Sequence, residues 1–252
     1  NKVVDLLKVL GLLINLKKCS LCPSQPLIFL GTILNTATLS LSLPPERLST
    51  IQLDARALHS KGSCSMKELA ALLGRMSHAS QNGIWLAPLH YRALQYALRE
   101  LEWWMSAEPK NSNAHRLRHP PFDLVIHTES SLLGWGASAD STPIGGHWSP
   151  AESQLHINVL ELKAAYLAIQ AFTRNRASAP VHIHLRIDNT TAVAYVNRRG
   201  GTHSPSLSAV ALDLWSYVFG MGSWVTATHI PGAVNNEADT ASRHFNPRVE
   251  WT

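Results

Sequence analysis

Apolar positions recur at helical or strand spacing along most of the chain, and the pattern changes character near residue 121. Residues 4–14 carry Val4, Leu7, Leu10 and Leu13 on one helical face. Residues 27–34, Leu-Ile-Phe-Leu-Gly-Thr-Ile-Leu, read as one strand, and residues 39–43 alternate Leu-Ser-Leu-Ser-Leu with strand periodicity. Pro44-Pro45 then opens a helix with Leu48, Ile51, Ala55 and Leu58 on one face, broken at Lys61-Gly62-Ser63. Ser65 and Glu68 have capping-box spacing before Leu69-Ala70-Ala71-Leu72-Leu73, a helix expected to end near Gln81-Asn82-Gly83. A further helix is expected from Trp85 or Pro88 to Met105. Residues 106–121 are polar, contain Pro109, Pro120 and Pro121, and read as a linker.

Beyond that linker, strands and helices alternate. Strands are expected at Leu124–Thr128, from Gly134, at Ile144–Trp148, at Val181–Asp188 and at Trp224–Ile230. Helices are expected from Asn158 to Phe172, Thr190 to Asn197, Pro205 to Phe219 and Asn236 to Arg243. In the strand at 181–188, Val181, Ile183, Leu185 and Ile187 share one face, while His182, His184, Arg186 and Asp188 share the other. The order β-β-β-α-β-α-α-β-α predicts an α/β layer architecture with a mixed sheet and flanking helices, preceded by a mainly helical region. The domains expected are 1–43, 44–120 and 121–246.

Composition narrows the classes. Of 252 residues, 45% are hydrophobic and 15% charged, which excludes a disordered chain. The net charge of +5 suits a polyanionic partner. No apolar run reaches ~18 residues, so no transmembrane span is expected, and the compartment is read as intracellular, cytoplasm or nucleus. The first residues lack an initiator Met and a signal-peptide pattern, so the chain reads as a piece of something longer. Cys19 and Cys22 form a C-x-x-C, but Cys64 is the sole other cysteine. A zinc or redox reading built on that pair lacks the ligands it needs.

In a chain this poor in charge, four acidic residues stand out at strand ends and helix starts. They are Glu129 in His127-Thr128-Glu129-Ser130, Glu161 in Asn158-Val159-Leu160-Glu161, Asp188 in Ile187-Asp188-Asn189-Thr190, and Asp239 in Asn235-Asn236-Glu237-Ala238-Asp239. Each has a structural reading as well. Asp188 suits an N-cap, Glu161 the third position of a capping box after Asn158, and Asp239 a first helical turn where the dipole favours acids. Glu129, inside a strand, is costly unless paired or metal-bound. Taken together they suit a carboxylate cluster for two divalent cations, the arrangement that cuts phosphodiester bonds. Lys163, Arg186, Arg198, Arg199 and Arg243 lie in or beside these segments, and Thr190 and Thr191 at a helix start suit a phosphate.

A set of motifs in order carries a family resemblance: Gly134-Trp135-Gly136-Ala137, Trp148-Ser149, His156-Ile157-Asn158 with Leu160-Glu161-Leu162-Lys163-Ala164, Asp188-Asn189-Thr190-Thr191-Ala192, Asn197-Arg198-Arg199-Gly200-Gly201-Thr202, His229-Ile230-Pro231-Gly232, and Ala238-Asp239 with Ser242-Arg243. The run from His127 to Arg243 resembles the ribonuclease H domain of retroelement reverse transcriptases, closest to DIRS-like retrotransposons. Residues 11–31 resemble the end of a reverse-transcriptase palm, and Pro45 to Met105 the thumb and connection, with Trp103-Trp104 before the linker.

The resemblance implies cleavage of the RNA strand of an RNA/DNA hybrid with two Mg²⁺ or Mn²⁺ ions. It implies Glu129, Glu161, Asp188 and Asp239 as metal ligands, with Asp188 bridging both ions. By their positions, Lys163, Thr190, Thr191, Arg198, Arg199 and Arg243 are expected as nucleic-acid contacts, and the resemblance implies fingers and palm as the missing partners. This chain departs from the pattern at Glu129, where the family has Asp. The added methylene moves a carboxylate by about 1 Å, a displacement that can slow a reaction about 100-fold. The loop Gly232-Ala233-Val234-Asn235 also lacks the histidine of many such domains. No paired polymerase aspartates occur in residues 1–120. The alternative expectation is a non-catalytic module that binds hybrid.

Overall fold

The computed structural model describes residues 2–81, 83–84, 87–92, 104–105, 115–116, 121–174 and 180–243. Helix α1 (Lys2–Val9) stops well before residue 14. Gly11 adopts φ +79°, its N–H bonds Lys8 O, and the Leu12 N–H bonds Leu7 O. That is a Schellman closure, which ends a helix whatever the apolar spacing beyond it. The strand expected over 27–34 is a hairpin instead, β1 (Pro26–Phe29) and β2 (Thr32–Asn35). Leu30 and Gly31 between them have φ 49° and 79°, the left-handed pair that a two-residue hairpin turn requires.

Strand β3 (Ser40–Ser42) pairs with β2 and also with β4 (His115–Arg116). The expected linker therefore contributes a strand to the first sheet. Helices α2 (Pro45–Lys61) and α3 (Met66–Gln81) pack Leu48, Ile51 and Ala55 against Leu72 and Met76, with Trp104 fully buried beside them. Gly62 closes α2 in the left-handed region, and Ser65 with Glu68 form the expected capping box. α4 (Ala87–Arg92) and the helical pair Trp104–Met105 fall on the helix expected to reach Met105; the rest of it lies outside the described residues. Three of the four strands fall within residues 1–43, and among the described residues 44–120 is mainly helical, as its sequence suggests.

The second sheet runs in the order β7-β6-β5-β8-β9. Its strands are β5 (Leu124–Ser130), β6 (Gly134–Ala139), β7 (Thr142–His147), β8 (His182–Ile187) and β9 (Trp224–His229). β6 is antiparallel to β5 and β7, whereas β8 is parallel to β5 and β9. Helices α5 (Ile157–Thr173), α6 (Thr190–Asn197), α7 (Pro205–Gly220) and α8 (Asn236–Arg243) flank it. This is the mixed α/β sheet with flanking helices expected of a ribonuclease H-like domain. Ile126, Ile183, Leu185 and Ile187 are fully buried in one core with Leu160 and Ile169 of α5 and Leu214 of α7. On the opposite face of β8, His182 and His184 are buried while Arg186 is exposed. His184 bonds Thr226 and Thr228 through its two ring nitrogens at 3.0 Å each, and Phe122 stacks on it at 4.0 Å.

Two glycines decide where α8 lies. Gly136 of β6 and Gly145 of β7 are register partners, and Glu129 of β5 is the partner of Gly136. A Cβ on Gly136 would fall 2.2 Å from Ala238 O, and one on Gly145 2.5 Å from Ala241 O. The bare backbone lets α8 settle on the sheet, with Ala238 and Ser242 fully buried. Ser131 Oγ anchors the far end by donating to Ser242 O at 2.7 Å. Among the described residues, no helix is long and apolar enough to cross a membrane.

Candidate metal centre

Glu129 is the penultimate residue of β5 and is 7% exposed. Ser130 and Asn235 surround its carboxylate. Glu161 sits on α5, but not where the capping box would put it. His156 is the N-cap, its Nδ1 accepting from Asn158 N at 3.2 Å, so Glu161 lies beyond the first turn. Asn158 turns sideways and its Oδ1 accepts from Asn189 Nδ2 at 2.9 Å. Freed from capping, Glu161 is 3% exposed, and its Oε2 has no hydrogen-bond partner.

Asp188 follows β8 at the parallel carboxyl end of the sheet. It is not the cap of α6. Asn189 is, its Oδ1 accepting from Ala192 N at 2.9 Å. Asp188 is half-buried, and its Oδ2 lies 3.1 Å from where a Cβ on Gly232 would be. Carboxylate oxygens of Glu129, Glu161 and Asp188 all lie within 4.8 Å of one another. The fourth acid stands beside this group. Asp239 Oδ1 accepts from both Nε and Nη2 of Arg243 at 2.9 Å, although its charge is close enough to act on Glu129.

Crowding shows in the protonation equilibria. Burial, then the Glu129 and Asp188 carboxylates, push Glu161 up to about 9. Burial, then Asp188, push Glu129 up to about 7, against the Asn235 hydrogen bond, which favours the ionised form. With its carboxyl raised this far, Glu161 keeps its proton at neutral pH. A hard divalent cation is what such an all-oxygen set accepts, and the unpartnered Glu161 Oε2 fits a ligand atom.

The basic residues are distributed unevenly. Lys163 is held by Glu152 at 2.7 Å, and Arg243 by Asp239. Arg198 is exposed at the end of α6. Arg199 is half-buried with its guanidinium 6.0 Å from the Trp215 ring centre. Thr190 is exposed and Thr191 half-buried in the first turn of α6. Cys19, Cys22 and Cys64 are free and exposed, far from these roles in sequence and unlinked.

Sequence reasoning passed over Asn235, reading it only as part of a loop. It is 1% exposed, and its Nδ2 donates at 2.8 Å to both Thr128 O and Glu129 Oε2. The available signal was its place four residues before Asp239, one helical turn away.

No family model and no curated protein sequence matches the chain. Solved structures do align with it. Ribonuclease H1 from the halophilic archaeon Halobacterium salinarum NRC-1 is 19% identical over 47% of this chain and 92% of that one, with a TM-score of 0.38. A foamy viral protease-reverse transcriptase in complex with dsDNA is 18% identical over 91% of this chain, with a TM-score of 0.37. The same foamy viral protein in complex with an RNA/DNA hybrid aligns at 14% identity, with a TM-score of 0.29. The chain spans 49% and 29% of the length of those two foamy viral chains.

Proposed function

We propose that residues 121–246 form a metal-dependent ribonuclease H that cuts the RNA strand of RNA/DNA hybrids, as part of a DIRS-like retroelement reverse transcriptase. The observation that carries this reading is the trio Glu129, Glu161 and Asp188, with oxygens within 4.8 Å and one buried oxygen unpartnered. Bound Mg²⁺ or Mn²⁺ would supply a water of lowered pKa and stabilise the departing 3′ oxygen. Glu129 and Glu161 would hold a bound ion from the buried side of the site, and Asp188, the most exposed of the trio, would hold it from the open side. Asp239 would be a fourth ligand once its carboxylate is free of Arg243. Thr190, Thr191, Arg198 and Arg199 line the approach of the nucleic-acid backbone. Residues 44–120 act as thumb and connection. The exposed apolar side chains of α1 and β1, among them Val9 and Ile28, offer surface to the palm end of the polymerase, which residues 1–43 continue. Such an enzyme works in the cytoplasm or nucleus.

The test is cleavage of a labelled RNA/DNA hybrid in Mg²⁺ and in Mn²⁺ by the chain as it stands, by Asp188→Asn and by Glu129→Asp. Cleavage by the first and third proteins and none by the second is the expected result. The second reading is a hybrid-binding module without catalysis. The Arg243 guanidinium on Asp239 favours it, because it occupies a required ligand. Under that reading all three proteins bind hybrid with a steep salt dependence and none cuts.

A further inference from the structure

The reading above leaves Asn235 without a task, yet its side chain is among the most constrained near the cluster. One buried amide nitrogen spans two acceptors on β5, the Thr128 carbonyl and Glu129 Oε2. Its backbone carbonyl accepts from Asp239 N at 3.0 Å, so the same residue sets the first turn of the helix that carries Asp239. Its Oδ1 is buried and accepts nothing from the described protein. A residue that served only to close the loop would have no reason to touch the carboxylate.

Glutamate at position 129 creates a need for such a group. Its carboxylate sits on one more rotatable bond than aspartate would give, and a metal ligand must be held within a fraction of an ångström. We infer that Asn235 is a positioning residue: its amide pins Glu129 Oε2 and leaves the other carboxylate oxygen for the cation. The inference rests on the metal-site reading. Outer-sphere hydrogen bonds of this kind change metal affinity by about 10- to 100-fold when removed. A pinned Oε2 also predicts that the effect depends on side-chain length, because an aspartate at 129 would hold its oxygens about 1 Å short of the amide.

The experiment is a double-mutant cycle on the whole chain, with Mn²⁺ as the probe in isothermal titration. Asn235→Ala is expected to weaken Mn²⁺ binding about 10-fold or more in the natural background. In the Glu129→Asp background the same change is expected to alter affinity less than about 3-fold, since the amide no longer reaches the acid. Equal losses in both backgrounds would mean that Asn235 acts only through Thr128, and would overturn the inference. Should Asn235→Ala fail to fold, Asn235→Ser takes its place in the same cycle. If none of the four proteins binds Mn²⁺, the metal-site reading falls, and their metal-free unfolding midpoints decide the rest. A smaller shift on removing Asn235 from Glu129→Asp than from the natural chain then supports the pinning, and additive shifts refute it.

Discussion

Gly136→Ala adds one methyl group at the most crowded backbone approach in the second sheet. The new Cβ would lie 2.2 Å from Ala238 O and 2.4 Å from Ser242 N, where ordinary contact begins at 3.4 Å. Backbone cannot swing aside as a side chain can, so α8 must rise by roughly 3.4 − 2.2 = 1.2 Å. Gly145 offers no escape, because there too the helix backbone would lie only 2.5 Å from an added Cβ. Overpacking of this sort costs about 1–3 kcal/mol, or roughly 2–12 °C in midpoint for a chain of this size. Asp239, between the two clashing points on α8, would rise with the helix. A displacement near 1 Å is expected to slow hybrid cleavage about 100-fold. Thermal melts in EDTA and single-turnover cleavage would be measured on the same preparations. Gly74→Ala is the control: it lies at an exposed position of α3 with nothing within 4 Å of its added Cβ. There the lost backbone freedom of the unfolded chain should stabilise by about 0.5–1 kcal/mol. Gly136→Ala melting at or above the natural protein would refute the account of how α8 is seated.

Three further outcomes follow from the site. Asp188→Asn removes a charge that raises both buried glutamates, so the metal-free midpoint should rise while Mn²⁺ stabilisation and cleavage disappear; a lower metal-free midpoint would contradict the repulsion argument. Because Glu129 and Glu161 are raised from 4.5 to about 7 and about 9, the native state binds more protons than the unfolded chain across that window. Their stabilisation is full below pH 4.5 and is lost as pH rises through the folded values, so urea unfolding in EDTA should show stability falling from pH 5 to pH 9. Saturating Mn²⁺ should abolish that fall, and stability that climbs with pH in EDTA would sink the assignment. Asn189→Ala loses the cap of α6 and the bond to Asn158, a loss of about 1–2 kcal/mol in a denaturant titration. A change within error would mean that neither bond is formed in solution.

Much of the second sheet was legible because its signals are strong and local. The alternation from Val181 to Asp188 gave β8 and its faces, and Pro205 opens α7 as its position predicts. The cluster was legible as four acids but not as three and one. Nothing in the sequence says that Arg243, one turn on, will hold Asp239 aside. Capping misled at two places for the same reason. Asn158 and Asp188 are each good caps, but His156 and Asn189 took the caps, and only tertiary packing shows that Asn158 pairs with Asn189 and that Asp188 joins the two glutamates. The hairpin at Leu30-Gly31 escaped notice because leucine rarely accepts a positive φ, so an apolar run containing it reads as continuous strand. Asn235 was missed because its importance lies in two acceptors more than a hundred positions away, beyond the reach of any periodicity.

The pairing of β3 with β4 has a consequence for the order in which the chain can assemble. Leu41 waits for His115 and Ser40 for Arg116. At ~5–20 residues per second of synthesis, the 76 positions from 40 to 116 take roughly 4–15 s to emerge. For that interval the growing chain holds β1, β2 and β3 with one side of β3 unclaimed, and α2 and α3 wait for Trp104 to complete their core. The first sheet is thus finished by the segment that introduces the second, and a nascent chain halted before residue 115 would present an open strand to any neighbour on the same messenger.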